Sequence, residues 1–121
     1  MQIHVRRVYA EPAGHEGHRV LVDRLWPRGK SRADLEDVPW VKSVAPSDSL
    51  RDWFGHDPAK WTEFKRRYFA ELDANPEGIA ELRKALGRGQ HATLLYAAKD
   101  EAHNNAVALA EYLARSAARS M

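Results

Sequence analysis

Residues 20–31, Val-Leu-Val-Asp-Arg-Leu-Trp-Pro-Arg-Gly-Lys-Ser, constrain the chain more than any other stretch, because an apolar run passes there without a spacer into charged and turn-forming residues. Val20, Leu21 and Val22 have the character of a buried strand. Pro27 and Gly29 cannot continue a ladder, so the backbone must leave the sheet and carry Asp23, Arg24, Arg28 and Lys30 with it. A second stretch repeats this arrangement near the other end: Thr93, Leu94, Leu95 and Tyr96 form an apolar run followed by Lys99, Asp100, His103 and Asn104 at the mouth of a helix. In open α/β sheets ligands sit in the crevice beyond the carboxyl ends of the strands, so two polar strand exits in one small domain predict a shared site.

The chain of 121 residues fits a single domain, residues 1–121, with one core. Its 44% apolar, 9% aromatic and 30% charged residues are those of an ordinary globular protein. With no cysteine, disulfides and thiolate metal sites are excluded. The start Met-Gln-Ile-His-Val-Arg has no apolar leader, and no run is long enough to cross a bilayer, so a cytoplasmic protein without a membrane partner is the simplest reading. The net charge of +2 is small but uneven: residues 1–32 hold seven Lys or Arg against three acids, the remainder twelve against fourteen. That places a local anion-attracting region on the first two strands and the loop after them.

Residues 2–9 alternate and read as a first strand, and residues 11–17, with Pro12, Gly14 and Gly17, read as a loop. The loop is shorter than the usual crossover, which predicts a hairpin of strands one and two, with a compressed crossover as the alternative. Residues 32–37 suggest one helical turn capped by Ser31, and residues 40–44 a short strand. Ser47 opens a helix that Gly55 terminates. Asp57-Pro58 starts a second, with Trp61, Phe64, Tyr68 and Leu72 on its inner stripe, and Asn75-Pro76 a third, with Ile79, Leu82 and Leu86. Residues 92–97 form the last strand, and Asp100 is placed to cap a final helix running to about Arg115, with residues 115–121 fraying. The succession predicts an α/β domain with a small mixed sheet covered by helices, tending toward a three-layer Rossmann-like arrangement.

Three separated motifs, Val22-Asp23-Arg24-Leu25-Trp26-Pro27-Arg28-Gly29, Trp53-Phe54-Gly55-His56-Asp57-Pro58 and Leu95-Tyr96-Ala97-Ala98-Lys99-Asp100, resemble the YeaO-like branch of domain-of-unknown-function family 488 over nearly the whole chain. The resemblance implies a family without an established activity, and so brings no proven catalytic residues. Some relatives place a Cys-His pair at the head of the last helix; this chain has His103-Asn104 there, which excludes a thiol mechanism.

The residues themselves suggest binding of a small anion. The planar forks of Arg24 and Arg28 suit bidentate contacts to phosphate or carboxylate, and Lys99 and Asn104 stand at the second exit. If there is turnover, of a hydrolytic or transfer kind, Asp23, Asp100 and His103 are the candidates for handling protons. An internal Asp23–Arg24 salt bridge with Trp26 in the core is the bland alternative. His56-Asp57 suggests a base and its orienting acid, although Asp57 also suits a helix cap. His15 and His18 have ligand-like spacing without a third donor, and His4 and His91 carry no signal, so no metal and no cofactor is expected. Absence of a Gly-x-Gly-x-x-Gly turn, a P-loop, a Gly-x-Ser-x-Gly elbow and a His-Glu-x-x-His helix disfavours dinucleotide enzymes, P-loop NTPases, α/β-hydrolases and zincins. Two rivals remain: a nucleic-acid-binding module using the basic N-terminal region with Trp26 as a stacking platform, and a non-catalytic interaction protein.

Overall fold

The centre of the molecule is β3 (His91–Tyr96), buried from its second residue onward. In the computed structural model, which describes residues 1–12 and 14–120 with side chains through Ser116, β1 (Gln2–Arg7) and β2 (His18–Leu21) flank it on either side. Both pair with β3 in parallel: Val5 lies opposite Leu94 on one side and Val20 opposite the same residue on the other.

The hairpin expected of the first two strands is therefore not formed, and the sheet is parallel throughout rather than mixed. The compressed crossover is what the chain uses. From Arg7 it returns beneath β3 to His18, and ten extended residues reach about 33 Å, ample for passing one intervening strand. Polar anchors fix the crossing where a helix is missing. Arg6 and Glu16, 11% and 8% exposed, form a forked ion pair with Arg6 Nη2 to Glu16 Oε1 at 3.1 Å, and the Thr93 hydroxyl donates to the Glu16 carbonyl at 2.8 Å. Gly17 is required there: its φ is +65°, and a Cβ would lie 1.8 Å from the His91 carbonyl oxygen.

Four helices follow the pattern of their caps and stripes. They are α1 (Asp48–Phe54), α2 (Trp61–Asp73), α3 (Pro76–Leu86) and α4 (Asn105–Ser120). Ser47 caps α1 by accepting from the Leu50 N–H, Gly55 ends it in the left-handed region, and Asn75 caps α3 by accepting from Gly78. Their apolar stripes, among them Phe54, Phe64, Tyr68, Leu82 and Leu109, meet Val20, Val22, Ala92 and Leu94 on one face of the sheet. Tyr68 is wholly buried, its hydroxyl donates to the Val44 carbonyl, and burial pushes its pKa well above the usual phenol range.

The opposite face carries loops instead of helices. Leu21 and Leu95 pack there with Val8, Leu35 and Val38, beside Trp26 and Trp40. So the α/β class holds, with helices on one side of the sheet and an irregular layer on the other. The strand expected at residues 40–44 is reduced to a single parallel bridge, Leu21 to Trp40, followed by a 3-10 turn at Lys42–Val44. The turn after Ser31 is a 3-10 turn at Ala33–Leu35, with the Ser31 hydroxyl accepting from the Asp34 N–H at 3.1 Å. The last helix starts later and ends later than expected: it begins at Asn105 and runs past Arg115 to Ser120, while Met121 lies outside the described residues.

Candidate functional site

Asp23 joins the two strand exits. It stands just beyond β2, where the Val22 N–H still bonds to the Leu95 carbonyl at 3.2 Å, and the parallel register brings the exit of β3 alongside. Its Oδ2 accepts from the Ala97 N–H at 2.8 Å, and its Oδ1 from the Asn105 side-chain amide at 3.1 Å. Asn105 also donates to the Val22 carbonyl at 3.2 Å, and Trp40 Nε1 to the Asp23 carbonyl at 2.7 Å. Burial raises the Asp23 carboxyl above the usual carboxylate range, although the Ala97 and Asn105 hydrogen bonds and the nearby Arg51 charge oppose it. The expected Asp23–Arg24 salt bridge is replaced by this clasp.

A crevice of about 630 Å³ opens beside Asp23. The loop from β2 contributes Arg24 and Arg28, α1 contributes Arg51, and the β3 exit contributes Ala98, His103 and Asn104. Burial grades these groups. Asp23 is half-buried at the inner wall, while Arg24 and Arg28 are exposed at the mouth beside Leu25 and Tyr9. Arg24 Nε and Arg51 Nη2 both reach Asp48 Oδ1 at 3.1 Å. Among the described residues the Arg28 guanidinium has no hydrogen-bond or ion-pair partner; only its carbonyl is engaged, by the Tyr9 hydroxyl at 2.6 Å. Arg51 Nε is a buried donor that meets no acceptor.

Two of the residues singled out from the sequence stand apart from the crevice wall. Lys99 is exposed and does not line it. Asp100 lies behind His103: Oδ1 accepts from the Ala102 and His103 N–H groups at 2.9 and 3.0 Å, and Oδ2 meets His103 Nδ1 at 2.9 Å. These bonds hold the Asp100 carboxyl below its usual range, the Ala102 N–H foremost. Asp100 therefore orients His103 and closes a separate turn, and the cap of α4 falls to Asn104, whose Oδ1 accepts from the Val107 N–H at 2.9 Å. Asn104 is 3% exposed, and its amide donates to the Asp100 carbonyl at 3.0 Å. It is a structural cap at the edge of the crevice.

Other wall residues carried little or no sequence signal. Asn105 was hidden beside Asn104, which offers the same chemistry one position earlier. Arg51 lies on α1 and belongs to none of the motifs above. His56 does line the crevice, with φ at +57°, the one non-glycine residue with positive φ among those described. Asp57 is not its orienting partner, since that carboxylate accepts from the Ala59 N–H at 3.0 Å and caps the following turn. The basic residues near the N-terminus are largely engaged within the fold. Arg6 pairs with Glu16, Arg19 with Asp37, and Arg7 donates to the Ala98 carbonyl at 3.1 Å. Trp26 donates to the Lys30 carbonyl, is covered by Arg32 at 4.1 Å and meets Trp40 edge-on.

A family model described as the inactive DUF488-N3 subclade matches residues 2–121. The chain belongs to the DUF488 family. An uncharacterised protein of Mycobacterium tuberculosis is 41% identical to this DUF488 domain over 112 residues, covering 93% of each chain. The YeaO protein of Escherichia coli is 39% identical over 113 residues, which is 93% of this chain and 97% of that one. No solved structure matches. Among the described residues of this DUF488 member, no helix is long and apolar enough to cross a membrane, and no three acidic or imidazole side chains converge as a metal site.

Proposed function

We propose that this DUF488 domain binds a small anionic ligand, of phosphate or nucleotide-like chemistry, in the crevice beyond β2 and β3, and that it does so without turning the ligand over. The observation that carries the reading is the Arg28 guanidinium, exposed at the mouth of the cavity and without a protein partner, with Arg24 and Arg51 lining the same cavity. An oxyanion placed there would take charge-assisted bonds from the Arg28 fork. Location supports it as well, since the cavity lies off the carboxyl ends of parallel strands.

Binding without chemistry is favoured by the description of the matching subclade as inactive and by the chain's lack of cysteine beside His103. The Asp100–His103 pair then serves as a positioned donor toward the ligand rather than as an acid–base device. A nucleic-acid role has less support, because Arg6, Arg19 and Arg24 are held in ion pairs and Trp26 is already covered.

Thermal shift of the full chain over inorganic phosphate, sugar phosphates and nucleotides tests the reading. At millimolar ligand, some of these anions raise the melting temperature by several degrees, with no product formed on overnight incubation. An unmoved melting temperature across the whole series contradicts binding, and product formation contradicts the absence of turnover.

A further inference from the structure

The proposed crevice has two electrical ends, and this restricts what it accepts. Its mouth is cationic, with Arg28 exposed and without a protein partner and Arg24 exposed beside it in its pair with Asp48. Its inner wall is a carboxylate, Asp23, held in place from both strand exits by the Ala97 N–H and the Asn105 amide. Each Asp23 oxygen accepts one of these bonds, which leaves each with accepting capacity toward the cavity. A second anion pressed against a half-buried carboxylate is disfavoured, whereas a hydroxyl donor placed there is welcomed by a charged acceptor in a low-dielectric wall. A bare phosphate therefore fits the mouth and leaves the inner wall unmatched.

We infer that the ligand is a hydroxyl-bearing phosphate monoester, a sugar phosphate or a nucleotide, whose phosphate meets Arg28 at the mouth and whose hydroxyl groups donate to Asp23. This rests on the binding reading above. The His103 ring, oriented by Asp100 and set edge-on to Trp61 at 5.4 Å between ring centres, lines the same cavity.

Calorimetric titration of the full chain with inorganic phosphate, ribose and ribose 5-phosphate separates the two ends. Ribose 5-phosphate binds about tenfold more tightly than inorganic phosphate, and ribose alone binds more weakly than either. Asp23→Asn abolishes most of that tenfold advantage by weakening ribose 5-phosphate relative to inorganic phosphate, while Arg28→Ala weakens both phosphates alike. Should Asp23→Asn not fold, amide shifts of the unaltered protein give the same answer: ribose 5-phosphate moves the Ala97 N–H and the Asn105 side-chain amide, and inorganic phosphate moves neither. Equal affinity for the two phosphates, or an equal gain for both in Asp23→Asn, overturns the inference while leaving anion binding intact. Binding of neither phosphate overturns both readings.

Discussion

The two ends of the parallel sheet are built from similar materials and reach different outcomes. At the amino end of the strands, His4 Nε2 and His91 Nδ1 meet at 3.0 Å, Gly17 lies directly against the His91 carbonyl, and a Cβ on Gly87 would fall 2.7 Å from the His18 ring. Backbone touches backbone there, and the imidazoles bond to each other. At the carboxyl end, Asp23 ties β2 to β3 through side-chain bonds that stop short of filling the space between the loops, so a cavity and a set of unmatched guanidinium donors remain. Close glycine contacts draw the backbones together at one end, where a smaller crevice of about 490 Å³ remains beside residues 14–18 and 89–91; at the other, a half-buried carboxylate ties the two exits and a crevice of about 630 Å³ remains. The comparison teaches that the polarity of a strand exit does not by itself mark a site. What distinguishes one is polar groups left without partners.

Breaking the close backbone contact at the amino end has the largest expected effect. Gly17→Ala forces a Cβ onto the His91 carbonyl oxygen at a position of positive φ, and is expected to cost about 3–4 kcal/mol, read by urea denaturation. If this variant is as stable as the parent, the amino end is not drawn together by backbone contact. Next comes the clasp at the open end: Asp23→Ala leaves the Ala97 N–H and the Asn105 amide unmatched and is expected to cost about 2–3 kcal/mol. Asp23→Asn, which retains an acceptor, costs less and changes the pH response. Because burial raises the Asp23 carboxyl, its contribution to stability is fully present below the ordinary carboxylate range and is lost as pH rises through the raised value. The stability of the parent relative to Asp23→Asn thus falls as pH rises above the ordinary carboxylate pKa of about 4. A difference that grows as pH rises contradicts burial as the dominant influence. Tyr68→Phe removes one buried hydrogen bond, to Val44, for about 1 kcal/mol. The smallest stability effect belongs to Arg28→Ala, expected within about 0.5 kcal/mol of the parent because the side chain is exposed and has no partner. That same substitution weakens anion binding several-fold, which separates a site residue from a structural one.

Most of the fold was legible in the sequence because its signals are local. Ser47, Asp57 and Asn75 cap where Ser, Asp and Asn at the head of an apolar stripe are expected to, and Gly55 ends its helix with a positive φ. The sequence suggests a hairpin because loop length is a weak guide to direction: what makes the ten-residue crossing tolerable is the Arg6–Glu16 pair and the Gly17 contact, both long-range facts. The cap of α4 was placed at Asp100 rather than Asn104 because both residues suit the position, and only the turn between them decides. At the candidate site, Asp23, Arg24, Arg28 and His103 could be picked out because they follow apolar runs. Lys99 follows one equally closely and points elsewhere. Arg51 and Asn105 come from helices whose sequences give no hint of which way those positions face, and only the tertiary arrangement brings them to Asp23.

An amide-shift map on addition of ribose 5-phosphate to the full chain tests the central claim, that the carboxyl end of the sheet holds the ligand. Shifts concentrated at residues 23–28, at Arg51 and at residues 97–105 are the predicted result. Shifts centred on residues 14–18 and 89–91, or none at saturating concentration, would contradict it.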